Sequence, residues 1–275
     1  MRAGSAPYPP PLKRFGQHFL TDDRVVERIA DALEITPQDT VVEIGAGRGV
    51  LTDRLVQRAG RVAAVEVDRA LSAFLRERYA GRDNVQVIEQ DVLRLKLGDV
   101  AAGEYLLAGN VPYYITTPIL FHTLVAPTPR RAVFLVQREV AERAVAPPGG
   151  KTYGALSVNL QAAARVEYLF DVAPGAFRPP PRVDSAVIRV TPVDTPLVSA
   201  SQRDTFQRFV QAVFAFRRKQ MIRVLRTVLG AAPGDVDALL RGVAVDAAAR
   251  PETISPAGFV ELFDRCVSLG WPGGH

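Results

Sequence analysis

Short apolar runs alternate with amphipathic segments along the first two thirds of the chain. The apolar runs predict buried strands at residues 40–44, 61–67, 84–88, 105–109 and 132–136. Segments between them carry apolar side chains at helical spacing, as Leu71 and Leu75 do. Because strands that alternate with helices form parallel sheets covered on both faces, the pattern predicts a doubly wound α/β sheet.

Two further apolar runs, at residues 165–172 and 183–190, are joined by a proline-rich loop rather than by a helical segment. Neighbouring strands without an intervening helix are usually antiparallel. We therefore expect a mostly parallel sheet that is closed by an antiparallel hairpin.

The last third of the chain has a helical pattern. Apolar side chains recur at i, i+3, i+4, i+7 and i+8 from Phe206, which predicts an amphipathic helix. Further helices are expected from near Phe216 to Leu229, at residues 235–241 and at residues 255–269. Prolines at 192 and 196 indicate a linker. We predict a domain at residues 13–195 and a small helical domain at 196–275, after a proline-rich, disordered tail at residues 1–12.

The first strand runs into three glycines at alternate positions, Gly45, Gly47 and Gly49. Glycine tolerates positive φ and lets a ligand approach bare backbone, and the helix that follows offers unpaired N–H groups. A nucleotide-like ligand is the natural interpretation, and a turn that only packs a helix on a strand is the alternative.

Two features bear on the kind of nucleotide. The dinucleotide fingerprint G-x-G-x-x-G is broken because Val50 stands where its third glycine belongs, which disfavours a nicotinamide dehydrogenase. Glu43, just before the turn, could attract a cationic ligand such as the sulfonium of S-adenosylmethionine (SAM).

Acidic residues follow the next two strands. Glu66 ends the second strand, where a carboxylate can accept ribose hydroxyls, and Asp91 follows the third, where it can accept the amine of an adenine. Since the carboxyl ends of parallel strands meet at one edge, we expect Gly45, Glu66 and Asp91 to converge on an adenosine-containing ligand.

The fourth strand ends in Asn110-Val111-Pro112-Tyr113. The exocyclic nitrogen of adenine is a poor nucleophile, and acceptors on its N–H groups can orient its lone pair toward a methyl donor. Asn110 offers a side-chain carbonyl, the chain at Val111 and Pro112 offers a backbone carbonyl, and Tyr113 can stack on the base. These residues predict methylation of an adenine amine.

Charge and composition favour an anionic partner. The net charge is +5, and six basic residues but no acid lie between Asp204 and Asp235: Arg208, Arg217, Arg218, Lys219, Arg223 and Arg226. A solvated helix face is the alternative, but such a face would normally include glutamates. One cysteine and three scattered histidines predict no disulfide and no metal site. No secretory segment or membrane-length apolar run is expected, so we predict a cytoplasmic protein.

Several motifs follow one another in a recognisable order: FGQHFL (15–20), VVEIGAGRGVLT (41–52), VEVD (65–68), Asp91, NVPY (110–113), YGALS (153–157) and PPRVDSAV (180–187). Together they resemble the small-subunit ribosomal RNA adenine dimethyltransferases of the KsgA type. The resemblance implies a seven-stranded, Rossmann-like class I methyltransferase sheet. It also implies SAM-dependent transfer of four methyl groups to two adjacent adenines near the 3′ end of 16S rRNA, in the small subunit or its precursor.

Site residues follow by position from that resemblance. Gln17, His18 and Leu20 would lie against the methyl donor, and Gly45 with its neighbours would hold its methionine part. Phe177, held by prolines 179–181, would cover the second face of the target base. A core residue beneath the proline-rich loop is the alternative for Phe177. Two positions depart from the family: an asparagine is usual near Arg223 and frequent at His18. We expect a monomer.

Two other functions stay open from the sequence. A related enzyme type methylates an adenine of large-subunit rRNA and confers macrolide resistance, although residues 153–157 and the basic run at 217–219 look more like the small-subunit type. A non-catalytic ribosome-assembly factor could also keep the fold, but the retained Asn110–Tyr113 set argues against it.

Overall fold

The computed structural model describes residue 9 and residues 16–101, 103–243 and 245–271. The predicted tail at residues 1–12 lies outside the described residues except for Pro9, and so do residues 13–15 of the first motif. Two compact units are present. Unit 1 is the described part of Met1–Ala141 with Glu167–Thr191, and unit 2 is the described part of Glu142–Val166 and Pro192–His275.

The described residues contain nine strands. In chain order they are β1 (Phe19–Leu20), β2 (Thr40–Ile44), β3 (Arg61–Glu66), β4 (Val85–Glu89), β5 (Tyr105–Asn110), β6 (Arg131–Gln137), β7 (Ala164–Val172), β8 (Phe177–Arg178) and β9 (Ser185–Pro192). All seven strands expected from the apolar runs are present, with ends that differ by up to two residues.

Helices follow most of these strands. In chain order they are α1 (Asp23–Ala32), α2 (Val50–Arg58), α3 (Arg69–Arg78), α4 (Leu97–Ala101), α5 (Thr116–His122), α6 (Arg138–Val145), α7 (Ala155–Gln161), α8 (Arg203–Phe214), α9 (Met221–Leu229), α10 (Pro233–Arg241) and α11 (Pro256–Ser268). Within the part of the chain that the structure describes, none of them is long and apolar enough to cross a membrane.

Seven strands form the main sheet in the order β4-β3-β2-β5-β6-β9-β7. The strands from β4 to β6 are parallel, and β9 pairs with β6 in the antiparallel sense. The predicted α/β class, a mostly parallel seven-stranded methyltransferase sheet, is therefore confirmed. Strand order reverses between β2 and β5, and ligands of open α/β sheets bind at such a point.

Register brings the ends of three neighbouring strands together. Ile44 of β2 pairs with Val65 of β3 on one side and with Gly109 of β5 on the other. The residues that come next, Gly45, Glu66 and Asn110, therefore leave the sheet at the same edge. This alignment positions the candidate site.

A second, two-stranded sheet was not predicted from the sequence. β1 and β8 pair antiparallel, with Phe19 opposite Arg178 and Leu20 opposite Phe177. Each strand has only two residues, which is too short for any periodicity to show. The pairing anchors the segment that precedes α1 near the carboxyl edge of the main sheet.

Unit 1 is built around an apolar cluster that includes Val41, Leu55, Leu106 and Val133, none of which is exposed. Helix starts in this unit are stabilised by aspartates. Asp68 accepts hydrogen bonds from the first turn of α3, and Asp22 does the same for α1.

Unit 2 has a separate, aromatic core. Phe209 packs on Phe263 and on Trp271, with ring centroids 5.7 and 5.3 Å apart. The helix expected to begin near Phe216 begins instead at Met221, because residues 215–220 form turns after α8. Residues 142–166 group with this unit, and the predicted boundary between residues 195 and 196 stays a prediction.

Candidate functional site

A pocket of about 770 Å³, open to solvent, lies in unit 1 at the carboxyl edge of the sheet. Eight of the residues singled out in the sequence line it: Gln17, His18, Gly45, Glu66, Asp91, Asn110, Pro112 and Tyr113. These residues come from five chain segments. Their convergence follows from the shared edge of β2, β3, β4 and β5.

The glycine turn has the conformation that its sequence predicts. Gly45, Gly47 and Gly49 have φ values of +70°, +58° and +80°. A Cβ on Gly45 would lie 3.4 Å from the carbonyl oxygen of Asn110, and a Cβ on Gly49 would lie 2.5 Å from the Tyr79 hydroxyl. Side chains at these positions would therefore meet both strained backbone and occupied space.

Tyr79 stabilises the end of this turn from beneath. Its hydroxyl donates to the Gly49 carbonyl at 3.0 Å and to Asp53 Oδ1 at 2.7 Å. Arg78 donates to the same Asp53 carboxylate. Burial and the Asp53 charge both raise the pKa of Tyr79, so its hydroxyl stays protonated and can keep donating.

Glu66 is almost completely buried, with 5% exposure, and its two oxygens have different backbone partners. Oε2 accepts from the Gly47 amide and Oε1 from the Asp68 amide, both at 2.9 Å. Burial raises the pKa of Glu66, while these amides oppose the rise. Each carboxylate oxygen can accept a second hydrogen bond, so Glu66 can still accept ligand hydroxyls.

Asp91 has a double role at the next strand end. Its Oδ1 accepts from the Leu93 amide at 3.0 Å and caps the short 3₁₀ turn of residues 92–94. That contact fixes the side chain at the pocket wall, between Gln90 and Val92 in the chain. The other oxygen, Oδ2, is 3.9 Å from the exposed Arg94 guanidinium.

Glu43 does not take the place expected from the sequence. Its side chain is 2% exposed and does not line the pocket, and its Oε2 accepts a hydrogen bond of 2.6 Å from the Thr52 hydroxyl. Burial raises the pKa of Glu43 from 4.5 to about 8, so the carboxyl is mostly uncharged at neutral pH. The prediction that it attracts a cationic ligand is corrected accordingly, because Glu43 joins β2 to α2 beneath the turn.

Residues 16–20 form a strap across the edge of the sheet. Gln17 Nε2 donates to Asp68 Oδ2 at 3.2 Å, and the carbonyl of His18 accepts from Asn110 Nδ2 at 3.0 Å. The Phe19 ring lies against Gly47, where an added Cβ would approach it to 3.3 Å. The strap therefore joins the ends of β3 and β5 and covers the glycine turn.

Alternation along the strap explains why Leu20 and Phe177 are not at the pocket. Successive residues of a strand face opposite sides, so Phe19 lines the pocket and Leu20 points into the core. Phe177, the pairing partner of Leu20, has no exposed surface and belongs to the same cluster. In this structure the side chains of Leu20 and Phe177 therefore lie in the core and not at the pocket wall, where the resemblance placed them. Gly47 contacts the strap and Glu66 instead of lining the pocket.

Asn110 has a defined orientation at the end of β5. Its Nδ2 group donates to the strap at His18, which leaves Oδ1 as the acceptor atom of the amide. The Pro112 carbonyl already accepts from the Ile115 amide and the Thr116 hydroxyl, both at 3.2 Å. Among the described residues, the Val111 carbonyl accepts no hydrogen bond. The acceptor pair is therefore Asn110 Oδ1 and the Val111 carbonyl.

Tyr113 is fixed at its hydroxyl and covered on its ring. The hydroxyl is 2.6 Å from Ser185 Oγ, and the ring stacks with His18 at a centroid distance of 5.9 Å. Burial raises the pKa of Tyr113. His18 Nδ1 lies 2.8 Å from the Pro179 carbonyl, and because a carbonyl only accepts, Nδ1 carries a hydrogen. His18 thus joins the strap, the proline loop and Tyr113.

Pocket residues that sequence reasoning missed are mostly apolar or aromatic. Phe19, Val67 and Val92 line the wall beside the glycine turn and the two acids, and Tyr114 stands at the rim with 60% exposure. The signal for Phe19 was available, since Phe19 alternates with Leu20. Tyr114 directly follows the motif NVPY, which ends at Tyr113 and does not include it.

The predicted basic residues of unit 2 differ in their surroundings. Arg217 is held by the protein: its Nε donates to Glu252 at 2.6 Å, and its Nη2 donates to the carbonyls of Gly150 and Lys151. Arg218, Lys219 and Arg223 are exposed. Arg217 therefore stabilises the turn after α8, and the other three are available to an anionic ligand.

Metal chemistry has no evident site here. Within the described ranges, no three His, Cys, Asp or Glu side chains are grouped so that they could hold a metal ion.

One family model and a curated relative both match most of this chain. The family model of ribosomal RNA adenine dimethylases matches residues 12–266. Ribosomal RNA small subunit methyltransferase A of Bordetella pertussis is 42% identical over 262 residues, which cover 95% of this chain and 96% of that protein.

Solved structures extend this comparison. The 23S rRNA methyltransferase ErmE is 28% identical, with a TM-score of 0.70 over 90% of this chain and 99% of its own. A dimethyladenosine transferase from Plasmodium falciparum is 24% identical, with a TM-score of 0.75 over 89% of this chain and 96% of its own, and shows the shared fold.

Proposed function

The chain belongs to the ribosomal RNA adenine dimethylase family, and we propose that it dimethylates the N6 amines of two adjacent adenines near the 3′ end of 16S rRNA, with SAM as the methyl donor. One observation carries the proposal: two hydrogen-bond acceptors, Asn110 Oδ1 and the Val111 carbonyl, lie beside Tyr113. They stand at the same edge of the sheet as Glu66 and Asp91. SAM supplies the activated methyl group.

The residues on the donor side of the pocket suit the polar groups of SAM. Gly45 leaves bare backbone where a Cβ would meet the Asn110 carbonyl, and this space suits the methionine part. Glu66 keeps acceptor capacity for ribose hydroxyls, and Asp91 can accept the adenine amine. Val67 and Val92 add apolar surface for a ring. Gln17 and His18 of the strap would close this side.

The acceptor side fits an exocyclic amine. Two acceptors, Asn110 Oδ1 and the Val111 carbonyl, can take the two N–H hydrogens of adenine N6 and orient the nitrogen lone pair toward the donor. Tyr113 is held by Ser185 and can support the base by stacking. No strong general base is needed, because the methylated amine can release its proton after transfer. Pro112 fixes the backbone directly after the Val111 carbonyl, at φ −58°.

The small subunit is favoured over the large subunit as the source of the substrate. The relative named for the small subunit is 42% identical to this chain, and the 23S enzyme ErmE is 28% identical. Exposed Arg218, Lys219 and Arg223 would contact rRNA phosphates. We include in the proposal that the protein acts as a cytoplasmic monomer.

Transfer of labelled methyl groups from SAM to ribosomal particles tests this function. We expect incorporation into unmethylated small-subunit particles and none into large-subunit particles. Incorporation only into large subunits would instead support the macrolide-resistance type. Binding of small-subunit particles without any turnover would support a non-catalytic assembly factor.

A further inference from the structure

Tyr114 is the only Phe, Tyr or Trp side chain that is exposed within the described residues, and it stands at the rim of the pocket. Single exposed apolar residues are normal on protein surfaces, so exposure alone carries no meaning. What distinguishes Tyr114 is the combination of 60% exposure, an aromatic ring and a position one residue beyond Tyr113.

The backbone that carries Tyr114 is held firmly. Residues 113–115 form a 3₁₀ turn that begins after Pro112, whose ring fixes φ. The Ile115 amide and the Thr116 hydroxyl both donate to the Pro112 carbonyl, and Thr116 is 1% exposed. Little conformational entropy would be lost when this ring contacts a ligand, because its backbone is already ordered.

The Tyr114 ring lies beside the strap. Its Cδ1 atom is 3.8 Å from the place where a Cβ would stand on Gly16, the first residue of the strap. Within the described part of the chain, the Tyr114 side chain forms no hydrogen bond or ion pair, and most of its surface is open to solvent.

We propose that Tyr114 is a substrate-positioning residue that stacks on the RNA nucleotide next to the target adenine. This inference rests on the proposed function. A target base must leave its stack to enter the pocket, and an aromatic surface at the rim can replace the lost stacking for its neighbour. Tyr113 stacks on the target base inside the pocket, and Tyr114 stacks on the neighbouring base outside it.

Two adjacent targets give this residue a particular consequence. While one adenine is inside the pocket, the other adenine is its neighbour, on the 3′ side in one round and on the 5′ side in the other. Because Tyr114 lies on one fixed side of the pocket, its ring supports the untargeted adenine in one of the two rounds and the outer flanking nucleotide in the other. Because stacking on an aromatic side chain tolerates any base but favours large rings, a purine neighbour should be preferred to a pyrimidine.

The test compares Tyr114→Ala, Tyr114→Phe and Val125→Ala with the wild type on unmethylated small-subunit particles. Val125 is a matched control, since it is 55% exposed and precedes β6, at the opposite edge of the sheet. We expect Tyr114→Ala to lower kcat/KM for particles about tenfold, mainly through KM, and to leave the Kd for SAM unchanged. Tyr114→Phe and Val125→Ala should stay within about twofold of the wild type.

A second arm replaces the adenine beside the target with uridine. The wild type should lose several-fold in kcat/KM on such particles, whereas Tyr114→Ala should lose little more, because the contact is already gone. Equal losses in both proteins would overturn the inference, and so would wild-type kinetics of Tyr114→Ala or a matching loss of SAM binding. A wild type that methylates no RNA would instead refute the proposed function itself.

Discussion

The two sides of the pocket use different chemistry. The donor side consists of backbone and carboxylates: Gly45 with positive φ, and Glu66 and Asp91, which both accept backbone amides. The acceptor side consists of an amide, a free carbonyl and aromatic rings, in Asn110, Val111 and Tyr113. The donor side is therefore shaped by fixed polar groups and the acceptor side by planar surfaces.

This difference follows from the ligands proposed for each side. SAM carries hydroxyls, an amine and a charged methionine part, and fixed polar groups recognise these by hydrogen bonds. An adenine in RNA offers chiefly a ring face and one amine, so stacking and two acceptors suffice. The strap joins the sides, because Gln17 contacts Asp68 and His18 contacts Asn110.

The largest effect should come from Asn110→Ala, which removes an acceptor on the reacting amine. We expect kcat to fall about 100- to 1,000-fold, as when one positioned polar group is removed from other active sites. Binding of small-subunit particles should stay nearly intact. Single-turnover methyl transfer measures the first effect and particle co-sedimentation the second.

Asn84→Ala is a matched control for this substitution. Asn84 Nδ2 also donates to backbone carbonyls, of Val56 and Ala59, but just before β4, at the amino end of that strand. Its loss should cost stability and leave kcat unchanged. Wild-type turnover by Asn110→Ala would reject the role assigned to Asn110.

Glu66→Gln should weaken SAM binding on the donor side and leave the acceptor side of the pocket unchanged. The change removes a charge and sets an NH₂ group against the Gly47 or Asp68 amide, so the Kd for SAM should rise about 10- to 100-fold. KM for particles should change little. Isothermal titration with SAM measures the first quantity.

Glu89→Gln provides the comparison, because Glu89 is paired with Glu66 in register on β4 but forms a surface ion pair with Arg76. Its titration should match that of the wild type. A weaker SAM complex in both variants would mean that general charge loss, and not contact at Glu66, sets affinity.

Glu43 offers a pH-dependent test of the scaffold beneath the donor side. The folded protein holds this proton up to about pH 8, whereas the unfolded chain releases it near pH 4.5, its ordinary pKa. Between these values the unfolded state alone loses the proton, so stability falls as pH rises, by up to about 1.4 kcal/mol per pH unit.

Glu43→Gln removes this titration and can still accept from Thr52. Urea unfolding at several pH values between 5 and 8 should therefore show a shallower loss of stability in the variant than in the wild type. Parallel pH dependence in the two proteins would show that the Glu43 carboxyl is ionised in the fold.

Tyr79→Phe should give the smallest effect. It removes the hydroxyl that holds the Gly49 carbonyl and Asp53, which should cost about 1 kcal/mol of stability and weaken SAM binding a few-fold. Tyr105→Phe is the control, because its hydroxyl donates to the Pro127 carbonyl away from the turn. Thermal unfolding should move in both variants, and SAM affinity only in Tyr79→Phe. An unchanged SAM affinity in Tyr79→Phe would show that the Tyr79 hydroxyl does not hold the glycine turn in the form that binds SAM.

Much of the fold could be predicted from sequence because buried parallel strands appear as continuous apolar runs. The β1–β8 pair could not, since two-residue strands carry no periodicity. The strand-end residues Glu66, Asp91 and Asn110 were predictable because parallel strands align their ends. Glu43 and Phe177 were not, because the side of the backbone that each faces depends on tertiary packing that spacing alone leaves open.

The most direct test of the central claim is mass analysis of 16S rRNA after unmethylated small-subunit particles are incubated with this protein and SAM. The account predicts two adjacent adenines near the 3′ end that each carry two methyl groups on N6, and only a small fraction of that product with Asn110→Ala in the same incubation time. Unmodified adenines, or methyl groups placed on another base, would contradict it.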